Sequence, residues 1–291
     1  MNCIEQVTTD RYTAIHGDCV EALRGLPDQS IGYSIFSPPF ASLYTYSNSP
    51  RDMGNVRNDA EFFEHFDFLI AELRRVMKPG RNVSFHCMDM PSSKERDGVI
   101  GLKDFPGDLL RAFQRHGFIF HAKATIWKDP VTAMQRTKAL GLLHKSVREN
   151  AAMCRMGIPD YLITVRAPGD CERVTHGEEY PVDLWQKVAS PVWMDINPSD
   201  TLQYMSAREH DDERHICPLQ LEVIRRGVML WTNPGDIVLS PFMGIGSEGY
   251  VALEMGRRFV GVELKASYFG QAVANLGAAT AKNLDLFAAA A

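Results

Sequence analysis

A serine, two prolines and a phenylalanine stand together in Ser37-Pro38-Pro39-Phe40, directly after the apolar run Ile31–Phe36. Each proline fixes φ and lacks an N–H, so the backbone here continues neither a helix nor a sheet ladder. A rigid loop results, with a hydroxyl, a free carbonyl and an aromatic ring side by side. This set suits a flat heteroaromatic amine: Phe40 would stack on its ring, while the Ser37 hydroxyl and the Pro38 carbonyl accept hydrogen bonds from its NH2 group.

The apolar run before this loop predicts the element that must hold it. β-Branched and aromatic residues dominate Ile31–Phe36, which is typical of a buried strand. If the strand belongs to an open parallel sheet, the loop lies at the carboxyl edge, where ligands bind. In the alternative interpretation, the tetrapeptide merely ends a strand and Phe40 packs in the core.

A second chemical pattern comes late in the chain, at Ser240-Pro241-Phe242-Met243-Gly244-Ile245-Gly246-Ser247. A predicted strand over 237–239 precedes this glycine-bearing loop, a helix over 248–255 follows it, and a second strand over 259–262 ends in Glu263. An acid at that place can bind the two hydroxyls of a ribose. Because the glycines do not follow G-x-G-x-x-G, the loop has room for a nucleoside and a small zwitterion, without a pyrophosphate on the helix N-terminus.

Asp18 is a third candidate, at the end of a short predicted strand that begins at Tyr12 and before a predicted helix over 20–26. Its carboxylate can accept a hydrogen bond from a ligand's amine or hydroxyl, or it can cap the helix that follows. The sequence alone leaves both interpretations open.

Strand and helix patterns alternate between these motifs. In chain order we predict a loop over 41–58 that can close over the site, a helix over 59–77 stopped by Lys78-Pro79-Gly80, a strand over 82–87, a helix over 107–116, strands over 118–127 and 161–166, an irregular stretch over 168–212 and a helix over 218–230. Such alternation favours an α/β fold with parallel strands.

Cations accumulate in the middle of a chain whose formal net charge is −5. Over residues 123–155, Asp129 and Glu149 are the only acidic residues, and polar residues able to reach phosphates and base edges lie between the cations. We therefore predict a nucleic-acid face there, with a solvated helix face as the alternative. The candidate DNA contacts are Lys128, Arg136, Lys138, Lys145, Arg148 and Arg155.

Composition excludes several classes of protein. The 291 residues are 45% hydrophobic, as in a globular protein, and the six cysteines show no C-x-x-C spacing, so we expect neither a disulfide framework nor a metal site. No run of eighteen apolar residues and no signal-peptide pattern is seen. We therefore expect a cytoplasmic protein without a membrane partner.

With both motifs in view, the chain resembles the amino-methylating DNA methyltransferases that use S-adenosylmethionine, in the beta arrangement where the catalytic motif precedes the cofactor motif. The resemblance rests on 15–18, 31–40 and 215–268. It implies a Rossmann-like class I methyltransferase fold with a mostly parallel seven-stranded sheet, circularly permuted, and a target-recognition insertion. The implied divisions are a catalytic half over 1–127, the insertion and an irregular connection over 128–212, a cofactor half over 213–277 and a tail over 278–291.

The resemblance also implies roles for individual residues. Ser37, Pro38 and Phe40 fall on the catalytic tetrapeptide, with Pro39 as its rigid spacer. Glu263 would hold the ribose of S-adenosylmethionine, and Asp18 would contact the adenine end. The other residues implied at the cofactor are Pro241, Phe242, Gly244 and Gly246 around the pocket, His215 and Pro218 beside the methionine moiety, and Ser240 and Ser247, which replace the family's usual Asp and Thr and keep an oxygen.

The activity implied is methylation of an exocyclic amine on a base flipped out of double-stranded DNA. Ser37 favours the N4 of cytosine, because relatives with Asp there more often act on the N6 of adenine, and both bases stay open. Carbon-5 methylation would need a cysteine on the catalytic loop, and Cys217-Pro218 lies elsewhere in reverse order. Methylation of RNA or of a glutamine amide, and a non-catalytic DNA-binding protein with a retained nucleoside pocket, remain alternatives.

The last part of the chain suggests a partner. Asn283-Leu284-Asp285-Leu286-Phe287 resembles the short peptides by which bacterial DNA-processing proteins dock on the sliding clamp. The alternative is an apolar tail that packs on its own domain, and a homodimer is a further candidate assembly. Without a restriction nuclease signature, we expect a bacterial or phage-encoded, nucleoid-associated enzyme that works alone or within a DNA-marking system.

Overall fold

In the computed structural model, the chain folds around a large sheet covered by helices. The structure describes residues 3–40, 53, 56, 58–132, 143–170, 172–176, 180–203 and 218–289. The side chains of Arg96 and of residues 283–289 are outside this description. Several predictions therefore lie outside the described residues: His215, Cys217, Arg136, Lys138 and most of the loop over 41–58. The predicted clamp peptide lies within a described helix, but its side chains are outside the description.

The strands are β1 Cys3–Thr8, β2 Tyr12–Gly17, β3 Ile31–Phe36, β4 Met77–Met88, β5 Met90–Ser92, β6 Gly101–Lys103, β7 Ile119–Ile126, β8 Asp160–Arg166, β9 Val192–Trp193, β10 Ile237–Ser240 and β11 Arg258–Glu263. The helices of the described residues are α1 Cys19–Arg24, α2 Asp59–Val76, α3 Lys94–Asp97, α4 Phe105–Arg115, α5 His144–Asn150, α6 Val182–Ala189, α7 Leu221–Trp231, α8 Ser247–Glu254 and α9 Ala266–Ala289.

The main sheet has the order β1-β2-β11-β10-β3-β4-β8-β7-β9. Strands β2, β11, β10, β3 and β4 run parallel, and β8 enters antiparallel between β4 and β7. The late strands β10 and β11 lie between the early strands β2 and β3, as expected for a permuted chain. The predicted α/β class and mostly parallel sheet are confirmed.

The predicted count of seven strands is wrong for the described sheet, which has nine. The difference lies at the two edges: β1 pairs antiparallel with β2, and the two-residue β9 pairs with the end of β7. Neither edge strand carries the continuous apolar run that marks a central strand, since β1 is largely exposed and β9 has only Trp193 buried.

Helices cover both faces of this sheet. Side chains from α1, α2 and α4 form one core against it, and α7, α8 and α9 form the other. In α2, the residues Phe62, Phe66, Leu69, Ile70, Leu73 and Val76 recur at helical spacing and are all fully buried. Asn58 caps this helix by accepting a hydrogen bond from the Glu61 N–H at 3.0 Å. The predicted helix over 59–77 is thus confirmed to within its last residue.

Lys78-Pro79-Gly80 follows the end of α2, as predicted, and lies within β4, where Gly80 takes φ +70° and donates its N–H to Ala167 O. The strand predicted over 161–166 is confirmed as β8, which lies inside the sheet. The prediction of an irregular stretch over 168–212 is wrong in part, since this stretch contains α6 and β9. No helix in the described part of the chain is long and apolar enough to cross a bilayer.

Candidate active site

The two chemical motifs meet at one edge of the sheet. Strands β3 and β10 are parallel neighbours, with Tyr33 opposite Val238 and Ser34 opposite Leu239. The Ser34 hydroxyl donates to the Leu239 carbonyl at 3.0 Å inside the core. The loops that follow these strands therefore leave the same edge side by side. The Phe242 ring, in the glycine-bearing loop, lies 5.8 Å from the Phe36 ring that precedes Ser37.

The Ser-Pro-Pro-Phe corner is irregular backbone, as predicted. Pro38 is buried, while Ser37, Pro39 and Phe40 are partly exposed. The Phe40 ring packs on the core, with its centroid 6.0 Å from that of Phe105, yet keeps part of its surface accessible. The interpretation that Phe40 packs on the core is confirmed, and the stacking of a base on its exposed part stays a prediction.

The hydroxyl of Ser37 faces a histidine that the sequence patterns did not single out. Ser37 Oγ lies 3.2 Å from His86 Nδ1. On the far side of the ring, His86 Nε2 lies 3.1 Å from Asp160 Oδ2, in a bent approach that meets the distance but not the direction of a hydrogen bond. The other carboxylate oxygen of Asp160 accepts from Lys128 Nζ at 2.5 Å. The side chains of Ser37, His86, Asp160 and Lys128 thus form a continuous series of contacts that leads from the loop into the protein.

Strand topology explains this convergence. His86 lies near the carboxyl end of β4, next to β3. Because β8 runs antiparallel, its first residue, Asp160, pairs with Met88 at the same edge. Burial alone would raise the pKa of Asp160, but the His86 and Lys128 charges lower it below its ordinary value. Asp160 is therefore held as a carboxylate beside the His86 ring.

Glycines and an acid shape the second loop. Gly244 and Gly246 have φ of +51° and +86°, the left-handed region that favours glycine. A Cβ on Gly246 would also come within 3.3 Å of Ala272 in α9. Glu263, at the end of β11, accepts from the Gly244 N–H at 2.9 Å and from the Lys265 N–H at 2.8 Å.

Polar groups around this loop fit a nucleoside ligand. The hydroxyls of Ser240 and Ser247 are buried without a hydrogen-bond partner among the described residues, a costly arrangement that a polar ligand would relieve. A Cβ added at Gly244 would meet no atom of the described residues within 4 Å. Pro218 lies just before α7, partly buried. Together with Glu263, these groups suit the hydroxyls and charged ends of S-adenosylmethionine, which supplies a methyl group on a sulfonium when bound.

Asp18 acts as the cap of α1. Its Oδ1 accepts from the Glu21 N–H at 2.9 Å. Strand β2, which ends just before it, lies beside β11, so Asp18 is also at the ligand edge of the sheet. The capping interpretation is confirmed, and its contact with the cofactor stays a prediction.

Glu248 is fully buried in the first turn of α8, next to this pocket. Burial, with a smaller effect of the Glu263 charge, raises its pKa from 4.5 to about 8. Between these values the unfolded chain releases a proton that the folded chain keeps, so the stability contributed by protonated Glu248 falls as pH rises through this window.

Replacing Glu248 with glutamine should therefore raise the melting temperature at pH 8 relative to the wild type, and this gain should shrink toward pH 5. Thermal unfolding followed by circular dichroism at the two pH values measures it. Glu64→Gln, an exposed position on α2, is the control and should show no such pH-dependent gain. An equal change in melting temperature for Glu248→Gln at both pH values would contradict the conclusion that the buried Glu248 side chain is protonated.

The predicted DNA contacts divide into two groups. Lys145 and Arg148 are exposed on α5, a helix without buried residues, and Lys145 lies 3.8 Å from Glu149. Lys128 instead pairs with Asp160, and the Arg155 Nε is buried. The geometry therefore leaves Lys145 and Arg148 as the accessible cations among the described candidates.

Two curated relatives align with most of the chain. It is 24% identical to the type II methyltransferase M.BglII from Bacillus subtilis, over 87% of this chain and 65% of that protein. It is also 24% identical to the DNA adenine methyltransferase YhdJ from Escherichia coli K12, over 92% of this chain and 83% of that protein. The chain thus spans less than two thirds of the length of M.BglII.

Solved structures share the fold. TTHA0409 from Thermus thermophilus, solved in complex with S-adenosyl-L-methionine, superposes with a TM-score of 0.67 at 21% identity, over 94% of this chain and 96% of that one. The cytosine-N4-specific PvuII DNA methyltransferase superposes with a TM-score of 0.69 at 16% identity, over 94% and 90%.

The sequence model of the N6/N4 DNA methylase family matches residues 33–274, which includes Ser37 and the whole glycine-bearing loop. That match covers far more than half of the chain. The predicted family is therefore confirmed: this chain belongs to the N6/N4 DNA methylases, enzymes that transfer a methyl group from S-adenosylmethionine to an exocyclic amine in DNA.

Proposed function

We propose that this methyltransferase modifies the N4 amine of cytosine in double-stranded DNA, with Ser37, Pro38 and Phe40 as the groups that hold the base. The observation that carries the proposal is the parallel pairing of β3 with β10, which sets the Ser-Pro-Pro-Phe corner beside the glycine-bearing loop. A serine at the first catalytic position is the feature that favours cytosine over adenine.

The corner acts by positioning the amine. An exocyclic amine is a poor nucleophile because its lone pair is delocalised into the ring. The Ser37 hydroxyl and the Pro38 carbonyl accept hydrogen bonds from its two N–H groups. This favours a pyramidal nitrogen and directs the lone pair toward the methyl donor. Phe40 stacks on the flipped base, and its packing on Phe105 keeps the ring in place. No covalent intermediate is required.

Incubation with labelled S-adenosylmethionine and unmethylated duplex DNA, followed by mass spectrometry of the digested nucleosides, tests this proposal. We expect N4-methylcytosine. N6-methyladenine would contradict the choice of base while leaving DNA amine methylation intact. Label that enters RNA or protein but not DNA, or no label at all, would contradict the substrate class.

We further propose that Lys145 and Arg148 contact DNA phosphates. Both are exposed on a helix that buries none of its residues, and a cation there can displace counterions from the duplex. The double variant Lys145→Ala with Arg148→Ala should weaken DNA binding and flatten its dependence on salt, measured by fluorescence anisotropy. An unchanged salt dependence would instead support the solvated-face interpretation.

A sliding clamp and a second copy of the chain remain proposed partners. The sequence Asn283-Leu284-Asp285-Leu286-Phe287 carries the first proposal, and its backbone lies in α9. Gel filtration of the intact protein, alone and with a bacterial clamp, tests both. Elution as a monomer at high concentration would exclude the dimer, and no co-elution with the clamp would exclude the docking peptide.

A further inference from the structure

The contacts behind Ser37 assign a hydrogen-bonding direction to the catalytic hydroxyl. Asp160 is 3% exposed, and its carboxylate faces His86 Nε2 at 3.1 Å. A carboxylate only accepts hydrogen bonds, so Asp160 beside Nε2 favours a neutral ring with its proton on Nε2 and with Nδ1 as an acceptor. In that tautomer Ser37 Oγ, 3.2 Å from Nδ1, donates its O–H to the ring.

We propose that His86 is a positioning residue that acts through Ser37: it accepts the Ser37 O–H, turns the oxygen lone pairs toward the substrate amine, and receives the proton that methylation releases. This inference rests on the proposed function. It also gives the corner selectivity, because a hydroxyl committed as a donor to His86 presents only acceptor sites to the base and favours an amine over a carbonyl at the same ring position.

The proton can be followed step by step. The amine nitrogen gains the methyl group as the methyl–sulfur bond breaks, with the electron pair staying on sulfur. The surplus proton on nitrogen passes to Ser37 Oγ while the Ser37 proton passes to His86 Nδ1. Ser37 ends as a neutral hydroxyl, and His86 ends as an imidazolium that faces the Asp160 carboxylate. His86 then returns the proton to solvent.

Charges around His86 support this assignment. Lys128 Nζ lies 2.5 Å from Asp160 Oδ1, which places a positive charge beside the buried carboxylate independently of His86. Helix α7 packs on the same side and brings Arg226, whose charge is taken by Asp195 and Glu222. Asp89, Lys123 and Tyr161 form a separate cluster on the opposite face of the sheet. Asp160 is therefore the group placed to stabilise the protonated ring.

The variant His86→Asn tests the proposal, because its amide oxygen can still accept the Ser37 O–H but cannot take a proton. Single-turnover methyl transfer should fall on the order of 10²-fold, as expected for loss of a proton acceptor. The acid limb of the wild-type pH–rate profile should disappear. In a Ser37→Ala background, His86→Asn should have almost no further effect, because His86 acts through Ser37.

The control is His116→Asn, which removes a histidine that also lies 3.1 Å from an aspartate, Asp67, but has no contact with Ser37. It should leave the rate and the pH profile unchanged. The inference would be overturned if the wild type methylates DNA and the His86→Asn variant, with an unchanged melting temperature, keeps both the wild-type rate and the acid limb of the pH–rate profile. That result would leave the proposed function standing. A wild type that transfers no methyl group to DNA would overturn both.

Discussion

Replacing Ser37 with alanine is expected to remove most methyl transfer while S-adenosylmethionine still binds. The substitution deletes the hydroxyl that, in our proposal, holds the amine and relays its proton, but leaves the cofactor loop, β10 and Glu263 untouched. Loss of one such placed group typically costs about 10²–10³-fold in turnover. We therefore expect kcat to fall by that order, measured with labelled cofactor, and cofactor affinity by calorimetry to stay close to that of the wild type.

Ser34→Ala is the matched control for this prediction. Ser34 lies on the same strand, and its hydroxyl bonds to Leu239 in the core, away from the substrate. Its loss should lower stability by about 1 kcal/mol, the usual contribution of a hydrogen bond, with little change in kcat. If the Ser37→Ala variant methylates DNA at the wild-type rate, the Ser-Pro-Pro-Phe corner does not hold the target amine.

Replacing Glu263 with alanine is expected to affect the other half of the site. Glu263 holds the glycine-bearing loop through the Gly244 N–H and, in our proposal, also accepts from the ribose hydroxyls. A charged hydrogen bond is worth about 1.5–3 kcal/mol, so the Kd for S-adenosylmethionine should rise on the order of 10²-fold. At saturating cofactor the turnover should recover most of its wild-type value.

Glu254→Ala serves as the comparison, because it removes a glutamate at the end of α8 whose partners are Arg225 and Lys282 on the surface. Surface ion pairs contribute little, so cofactor affinity should not change. If Glu263→Ala binds S-adenosylmethionine as tightly as Glu254→Ala does, the ribose contact and the role of the loop are both wrong.

The cofactor half and the catalytic corner could be predicted because each is local in sequence. Buried apolar runs mark β3 and β10, and prolines or glycines follow each run at once. The general rule that ligands gather at the carboxyl edge of a parallel sheet gave the edge at which both loops lie, and the family resemblance brought the two motifs together in one site. The edge strands β1 and β9 escaped prediction because they are short or exposed, which leaves them without a distinctive pattern.

His86 and Asp160 could not be predicted in the same way. His86 lies within the predicted strand over 82–87, and Asp160 comes directly before the predicted strand over 161–166, so each was a single polar residue beside an apolar run. Their meeting with Ser37 depends on the antiparallel entry of β8 between β4 and β7, a non-local choice that local patterns do not encode. Lys128 was predicted to bind DNA for the same reason, since nothing local revealed Asp160 as its partner.

A crystal structure of this protein with bound S-adenosylmethionine tests the central claim most directly. We predict a nucleoside held between Glu263 and the loop over 240–247, with the sulfonium methyl directed at the Ser37 hydroxyl and the Pro38 carbonyl. A cofactor bound at another edge of the sheet, or one whose methyl points away from Ser37, would contradict it.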